Sequence, residues 1–314
     1  MTGPRELMVR GLTLEAGDVL TVELVDPAGA ALPGWAPGAH VELVVGDGTV
    51  RQYSLCGEPS APSLTVAVRH EPAGRGGSAW VHRILRPGDR IPVRGVRNHF
   101  ALEDAPHVVL VAGGVGITPL LPMAEELART GRSWRLAYVG RDARRMPFLD
   151  RVRALGPSAT VHETAVSGRP PVAGLLGELT ADTLVYVCGP AELIGATRTA
   201  LEARGLESQL RAEYFAAPAS EIAEEPGTFV VRLERSGLEL VVPADRSALE
   251  VVTEAGVDVL SDCEEGICGS CETKVLAGAV DHRDHVLTAT EKAENSCMMI
   301  CVSRAQGPRL TLDL

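Results

Sequence analysis

The sequence lacks a long apolar run and an excess of positive charge. No stretch of its 314 residues approaches the roughly 20 apolar residues of a membrane span, and its first residues contain no apolar signal core. The net charge of −11 argues against nucleic-acid binding, which requires a basic surface. We therefore expect a cytoplasmic protein with no membrane and no nucleic-acid partner.

Motifs of several common cofactor sites are also missing. The chain has no G-x-G-x-x-G fingerprint, no Cys-x-His paired with Cys-x2-His as in a Rieske centre, and no haem-attachment motif. Internal repeats and low-complexity tracts are absent as well. Any oxygen chemistry to which this chain contributes is thus expected on another polypeptide.

Four of the seven cysteines have the spacing of a metal cluster. Cys263, Cys268 and Cys271 follow C-x4-C-x2-C, and Cys301 comes after another 29 residues. This is the plant-type pattern for a 2Fe-2S cluster. Structural zinc, which more often shows paired C-x2-C knuckles, and a disulfide framework, which suits small secreted domains, are the alternatives.

The fourth cluster ligand has two candidates, Cys297 and Cys301. We favour Cys301, since the apolar run over residues 298–302 predicts a buried strand, whereas Cys297 follows polar residues. Gly266 and Gly269 predict a tight loop whose amide N–H groups turn toward the sulfur atoms.

The chain pattern predicts three domains, one more than its length suggests. Residues 1–103 contain short alternating runs with Gly and Pro turns, which are typical of an antiparallel β-barrel. Residues 104–216 alternate strands and helices, which indicates an α/β domain with a parallel sheet. Residues 217–226 are predicted to be a linker, and residues 227–314 contain the cluster cysteines.

The α/β segment has a glycine turn between its first strand and first helix. The strand over residues 107–112 runs into Gly-Gly-Val-Gly-Ile-Thr-Pro, with Thr118 as the predicted N-cap. A later strand ends in Cys188-Gly189-Pro190, at the same edge of a parallel sheet. The pattern predicts dinucleotide binding there; the alternative is a turn whose glycines only allow close packing.

The barrel segment offers a predicted phosphate site. Arg51 and Tyr53 share one side of an alternating strand, and residues 74–78 form a glycine-rich loop before a short helix that Ser78 is predicted to cap. Exposed amides and an arginine suit a phosphate monoester.

These motifs occur in a recognisable order: Arg-Gln-Tyr-Ser-Leu, Gly-Arg-Gly-Gly-Ser, Gly-Gly-Val-Gly-Ile-Thr-Pro, Tyr-Val-Cys-Gly-Pro, and finally Cys-Glu-Glu-Gly-Ile-Cys-Gly-Ser-Cys with Ile-Cys-Val-Ser-Arg-Ala. In this order the chain resembles the phthalate dioxygenase reductase family, which includes the reductase components of vanillate demethylases. The resemblance implies an FMN-binding barrel, a pyridine-nucleotide domain and a C-terminal β-grasp ferredoxin domain.

The resemblance also implies the residues that bind each cofactor. FMN would contact Arg51, Tyr53, Ser54, Val68 and Arg69, with its phosphate at Gly76, Gly77 and Ser78. The pyridine nucleotide would lie at Gly114, Gly116, Thr118, Arg141, Asp142, Cys188, Gly189 and Pro190, and Phe215 belongs to the stretch that closes this domain beside the flavin. The sequence Gly140-Arg141 departs from the family's more usual Ser-Arg or Cys-Arg, so the choice between NADH and NADPH stays open. The family's usual nucleotide makes NADH the expected one.

The expected function is electron transfer from NAD(P)H through FMN and the 2Fe-2S cluster to a separate oxygenase. A Rieske-type oxygenase is the favoured acceptor and a haem-thiolate monooxygenase is the alternative. Residues 227–314 hold 15 acidic against 8 basic side chains, which is compatible with a docking face for a basic partner or with an ordinary solvated surface. A non-catalytic zinc- or redox-sensing module that binds a nucleotide is the remaining alternative.

Overall fold

The computed structural model describes residues 2–46, 48–216, 227–261 and 263–314, without the side chains of residues 2–4. Its contacts divide the chain into two compact units, Met1–Glu213 and Tyr214–Leu314. The first unit contains an antiparallel sheet and a parallel sheet, and the second contains a mixed sheet. The predicted linker, residues 217–226, lies outside the described residues, and the boundary at residue 103 stays a prediction.

The first part of unit one is a barrel. Its elements are β1 (Thr2–Ala16), β2 (Val19–Val25), β3 (His40–Val45), β4 (Thr49–Ser54), β5 (Leu64–Arg69), α1 (Gly77–Arg83) and β6 (Arg90–Arg97). The strand order within the described residues is β4-β3-β6-β1-β2-β5, with antiparallel neighbours. Apolar side chains at alternating positions, such as Val41, Leu43 and Val45, fill the interior.

The two edge strands of this sheet meet just beyond β4. Leu55 pairs with Val66 of β5, and the amide of Cys56 donates to the carbonyl of Thr65 at 2.9 Å. The edges therefore bond to each other and close the sheet into the predicted barrel, which leaves fewer unpaired backbone groups.

The second part of unit one is a parallel α/β layer structure. Its elements are β7 (His107–Gly113), α2 (Ile117–Thr130), β8 (Ser133–Gly140), α3 (Leu149–Ala154), β9 (Ala159–Glu163), α4 (Thr164–Ser167), α5 (Val172–Leu176), β10 (Thr183–Cys188), α6 (Ala191–Glu202) and β11 (Leu210–Glu213). The sheet order is β11-β10-β7-β8-β9 among the described residues, and all neighbours are parallel. The strand order reverses between β7 and β10, so a crevice opens at their carboxyl ends.

Both predicted N-caps in unit one are wrong. A 3-10 turn over Gly114–Gly116 precedes α2, and the Thr118 hydroxyl, already inside the helix, donates to the carbonyl of Val115 at 3.0 Å. Helix α1 begins at Gly77 after Gly76, whose φ of 88° favours glycine. In each case a glycine takes the N-cap position two residues before the predicted side-chain cap.

Unit two is a mixed sheet with short helices. Its elements are β12 (Phe229–Leu233), β13 (Leu238–Val242), α7 (Ala248–Glu254), β14 (Glu272–Ala277), β15 (Val280–Asp281), α8 (Ala289–Glu294), β16 (Cys297–Met299), β17 (Arg304–Ala305) and β18 (Arg309–Leu312). Within its described residues the main order is β13-β12-β18-β14-β16, with β12 and β18 parallel. This agrees with the predicted β-grasp domain.

The buried side chain of Arg304 connects the segments before β12 and after β13 by hydrogen bonds. Its guanidinium donates to the carbonyls of Gly227, Pro243 and Arg246 at 3.0, 2.7 and 2.7 Å, and it lies over the Phe229 ring. Three charge-assisted bonds offset the cost of burying the charge.

The predicted strand over residues 298–302 is only partly correct. Strand β16 ends at Met299, and Cys301 lies in the turn that follows. The turn arises because the amides of Val302 and Ser303 both bond to the carbonyl of Met299, at 3.2 and 2.9 Å.

Candidate functional site

The barrel places an arginine against a glycine-rich loop. Arg51 extends from β4 and donates to the carbonyls of Val50 at 2.8 Å and Arg75 at 3.3 Å. A β-carbon on Gly77 would lie 2.9 Å from Cγ of Arg51, so a larger residue would push the loop away. The absence of a side chain at Gly77 therefore lets the Arg51 guanidinium lie against the loop, which suits a phosphate group.

The neighbouring residues predicted to contact the flavin differ in their burial and in the hydrogen bonds that they already make. Tyr53 packs against the barrel core, and burial raises the pKa of its hydroxyl to about 12. The Ser78 hydroxyl accepts from the amide of Glu71 at 3.0 Å, so this side chain is engaged within its own loop. Arg69 is half exposed and pairs with Glu71 at 2.7 Å. Of these side chains, Tyr53 near the end of β4 and Arg69 at the end of β5 carry the polar groups that a flavin could contact.

Val68 offers no side chain to a cofactor. Its side chain lies in the barrel core and its carbonyl is 2.8 Å from Nε2 of His82. Any contribution of Val68 would come through the course of its strand.

The glycine turn after β7 packs directly on the loop after β10. A β-carbon on Gly113 would lie 2.7 Å from Cδ of Pro190, and one on Gly116 would overlap the carbonyl of Cys188. Gly189 is equally close to Gly113, whereas Gly114, with φ of 56°, has open space around it. Close packing of two loops thus accounts for Gly113 and Gly116, while Gly114 is the glycine exposed to the crevice.

The predicted nucleotide contacts Arg141 and Asp142 follow β8, the strand next to β7. Asp142 accepts from the amide of Arg144 at 3.1 Å and so caps a short 3-10 turn. Arg141 is exposed. The departure at Gly140 has a steric cause, since a β-carbon there would overlap the Met146 side chain.

Glu213, at the end of β11, joins the two predicted cofactor regions. Ser54 of the barrel donates to Oε2 of its carboxyl group at 3.3 Å, and the sulfur of Cys188 lies 4.0 Å from the same oxygen. Although the residue is partly accessible, its carboxyl is enclosed by protein, and burial raises its pKa to about 8 against the opposing hydrogen bond from Ser54. A neutral carboxylic acid therefore lies between the barrel and the nucleotide crevice at neutral pH.

Sequence reasoning assigned no role to Glu213 beyond its place in the closing stretch. Its position at the end of a parallel strand could have identified it, because the carboxyl ends of such strands face the crevice where ligands bind. An acidic residue there was a candidate site residue.

In unit two the four predicted cluster cysteines form two pairs. The thiol of Cys263 bonds to Cys268, and Sγ of Cys271 lies 3.2 Å from Sγ of Cys301. A 2Fe-2S cluster takes two protein thiolates on each iron, so this donor set fits such a cluster. Among the described residues, no group of three or more His, Cys, Asp or Glu side chains has the arrangement expected around a single metal ion.

Backbone amides surround these sulfurs as predicted. The amide of Glu265 donates to Cys263 at 3.3 Å, and Gly266 donates to Cys301. Gly266 and Gly269 have φ of 69° and 78°, and a β-carbon on Gly266 would lie 2.5 Å from Cγ2 of Val302. Positive φ and close packing explain both the glycines and the inward amides.

A hydrogen bond within the first pair also shifts the pKa values of its two thiols in opposite directions. The thiol of Cys263 donates to Cys268, which lowers the pKa of Cys268 and raises that of Cys263. Ser270 adds a contact to Cys268 at 3.0 Å. A loop that already stabilises one thiolate is prepared for an electropositive centre.

Cys297 has different surroundings. It lies in β16, partly buried, and its polar neighbours are Glu272, Ser296 and Glu291. Cys301 is buried beside Cys271. The geometry supports Cys301 as the fourth ligand.

Comparisons with known proteins agree with this geometry. Residues 231–306 match the family model Fer2, described as a 2Fe-2S iron-sulfur cluster binding domain. The structure of phthalate dioxygenase reductase, a modular protein for electron transfer from pyridine nucleotides to [2Fe-2S], superposes with a TM-score of 0.69 at 37% identity and covers 99% of this chain and 98% of that one. The chain belongs to the phthalate dioxygenase reductase family.

Two further likenesses place this reductase among oxygenase systems. Vanillate O-demethylase oxidoreductase of Pseudomonas sp. (strain HR199 / DSM 7063) is 39% identical over 98% of this chain and 99% of that protein. An intact type IV self-sufficient cytochrome P450 monooxygenase matches with a TM-score of 0.91 at 42% identity over 99% of this chain. The chain spans only 41% of that longer protein.

Family membership confirms several predictions. The reductase is an iron-sulfur flavoprotein oxidoreductase, an electron-transfer component of oxygenase systems, and the predicted cofactors FMN, pyridine nucleotide and 2Fe-2S cluster are those of its family. Among the described helices of the reductase, none has both the length and the apolar character needed to cross a membrane. The individual residue assignments stay predictions, including that of Phe215, which is 43% exposed and lies in unit two.

Proposed function

We propose that this chain takes electrons from NADH and delivers them singly to a separate oxygenase in the cytoplasm. The observation that carries the proposal is the Glu213 carboxyl, which contacts Ser54 of the barrel and Cys188 of the nucleotide crevice. It brings the two regions predicted to bind FMN and nicotinamide to one point. Bound FMN would accept a hydride and release the two electrons one at a time.

The barrel residues would hold and orient FMN. Arg51 with the amides of Gly76 and Gly77 would bind its phosphate, because a positive charge lies beside the glycine-rich loop. Tyr53 and Ser54, next to each other on β4, would contact the ring. A neutral Glu213 would keep negative charge away from the place where the hydride arrives.

The crevice between β7 and β10 would hold the pyridine nucleotide. Gly114 lets the diphosphate approach, and Cys188 borders the nicotinamide from the end of β10. Asp142 suits an adenosine ribose that carries a free hydroxyl, which favours NADH. Exposed Arg141 and Arg144 leave NADPH as the second nucleotide.

In unit two the thiolates of Cys263, Cys268, Cys271 and Cys301 would ligate the 2Fe-2S cluster, two on each iron. The amides that point to the sulfurs and the burial of three of the four cysteines would tune its potential. A buried ligand set also keeps water from the cluster.

A Rieske-type oxygenase is our favoured acceptor. A haem-thiolate monooxygenase is the second candidate, supported by the 42% identity to the reductase portion of the self-sufficient P450. The acidic balance of residues 227–314 supports a docking face for a basic partner of either class.

The test is anaerobic stopped-flow spectroscopy of the holoprotein. NADH should bleach flavin and cluster bands, and subsequent mixing with an oxidised Rieske-type oxygenase should restore them faster than mixing with a P450. The matched variant Cys301→Ser should keep flavin bleaching and lose transfer to the acceptor. Failure of NADH to bleach the flavin contradicts the proposal, and preferential transfer to the P450 replaces the favoured acceptor by the second.

A further inference from the structure

The barrel and the α/β layer of unit one share one apolar core. Cys56, Ala67 and Phe100 of the barrel segment are buried in the same cluster as Leu120 and Met123 of α2. Two parts that bury apolar side chains against each other move as one body more readily than two parts joined by a polar interface. Their relative position is therefore set by the residues at this seam.

Arg151, on α3, makes a short polar contact across the seam and is held by a second one within the α/β layer. It donates to both carboxylate oxygens of Glu125 on α2, at 2.8 and 2.8 Å from Nη2 and 3.0 Å from Nε. Its Nη1 donates to the backbone carbonyl of Cys56 in the barrel at 2.7 Å. One planar guanidinium thus binds a helix of the α/β layer and the chain of the barrel at the same time.

A second contact supports the same helix. The amide of Phe148, which immediately precedes α3 and has φ of 58°, donates to Glu15 of β1 at 3.1 Å. Arg151 lies 5.3 Å from the centroid of the Phe148 ring. The barrel therefore holds the start of α3 in a backbone conformation that is unfavourable for a residue with a side chain.

The two residues that Arg151 contacts, Cys56 and Glu125, lie on segments that continue from the two predicted cofactor sites. Cys56 lies two residues after Ser54, just beyond the strand that bears Arg51. Glu125 lies on α2, which begins directly after the glycine turn of the nucleotide crevice. Arg151 connects the strand that would orient FMN to the helix whose first turn would face the nucleotide.

From this geometry we infer that Arg151 is a positioning residue for hydride transfer, with Glu125 as the partner that fixes its orientation. The inference rests on the proposed function. The residue touches neither predicted cofactor region itself; it sets the distance between them. Hydride transfer depends steeply on that distance, since a misplacement of about 1 Å can lower a rate by about 100-fold.

The contribution of this cluster to stability is expected to be small. The side chains of Arg151 and Glu125 are 37% and 34% exposed, so solvent screens their attraction. Loss of Arg151 should therefore loosen the alignment of the two parts and leave the protein folded.

The test compares Arg151→Met, Arg151→Lys and the control Arg153→Met in the holoprotein. Arg153 lies on the same helix, is 57% exposed and pairs only with fully exposed Asp150 among the described residues. Anaerobic mixing with NADH and with NADH deuterated at the transferred position gives the limiting rate of flavin reduction, its isotope effect and the apparent Kd.

Arg151→Met should lower the limiting rate by about 10-fold or more, change Kd by less than about 3-fold and leave the reducible fraction of flavin intact. Arg151→Lys should recover part of the rate, because lysine keeps the charge without the planar fork. Arg153→Met should behave as the wild type. A change in Kd or reducible fraction alone, with an unchanged limiting rate, overturns the inference.

A second measurement does not depend on turnover. In the full chain as purified, without NADH, Arg151→Met should accelerate hydrogen exchange in the segments over residues 55–57 and 146–152, and Arg153→Met should not. If the wild type is not reduced by NADH, the proposed function is what fails, and the exchange data alone decide whether Arg151 fixes the seam. Unchanged exchange in Arg151→Met contradicts that role.

Discussion

Replacement of Glu213 by Gln should change how the stability of unit one depends on pH. The carboxyl is enclosed beside Ser54 and Cys188, and its pKa rises from 4.5 to about 8. Burial also keeps the neighbouring Cys188 thiol neutral, because it raises the pKa of that group. The amide of Gln fills nearly the same volume, accepts the same hydrogen bond from Ser54 and does not ionise.

The magnitude follows from the shift. Between about pH 4.5 and 8 the folded state keeps the proton on Glu213 while the unfolded state releases it, so the free energy of unfolding falls as pH rises through this window. Each pH unit within the window is worth about 1.4 kcal/mol. From pH 6 to pH 8 the wild type should therefore lose about 2 kcal/mol relative to Glu213→Gln, because the folded carboxyl itself begins to ionise near pH 8.

Urea unfolding at several pH values between 5 and 9 is the assay, followed in wild type, Glu213→Gln and the control Glu192→Gln. Glu192 undergoes the same chemical change with its side chain 78% exposed, so this variant should follow the wild type. Parallel stability curves for wild type and Glu213→Gln would refute the reasoning. That result would mean that water or a cation reaches the carboxyl and keeps its pKa normal.

Three further predictions concern the cluster, the crevice and unit two. Cys301→Ser should lower the iron content and abolish the paramagnetic signal of the reduced protein, while Cys297→Ser should leave both unchanged; the reverse pattern would exchange the fourth ligand. Gly116→Ala should raise the KM for NADH and cost about 1–3 kcal/mol, because its β-carbon overlaps the Cys188 carbonyl; unaltered urea unfolding and KM would contradict this close packing. Arg304→Met should lower the free energy of unfolding of unit two by about 3 kcal/mol, since three partly buried carbonyls lose their donor; calorimetry that shows less than about 1 kcal/mol would mean that water replaces the guanidinium.

Local sequence patterns gave a correct account of the architecture. Alternating apolar residues predict the barrel strands, the strand–glycine–helix sequence predicts β7 and α2, and the C-x4-C-x2-C spacing predicts the Fer2 domain. These features depend on neighbours within a few residues, so the chain alone displays them. The cysteine spacing also predicts the 2Fe-2S cluster, whereas FMN was implied by the resemblance to the phthalate dioxygenase reductase family.

Predictions at element ends were less successful for a physical reason. Thr118 and Ser78 look like N-caps, yet a tight glycine turn already starts each helix before them, and Cys301 leaves its predicted strand because two amides turn back to Met299. Which backbone group finds a partner first depends on packing that no local pattern contains.

The sequence by itself determined the iron-sulfur cluster and the order of the parts, because ligand spacing and hydrophobic period are local properties, and the order of its motifs gave the resemblance that implied FMN. Only the tertiary structure decided that Ser54, Cys188 and Glu213 meet, that Arg151 joins Glu125 to Cys56, and that the cluster thiols form two pairs. Such contacts join residues as far apart as 159 positions, and they form only when burial of the shared core brings distant segments together.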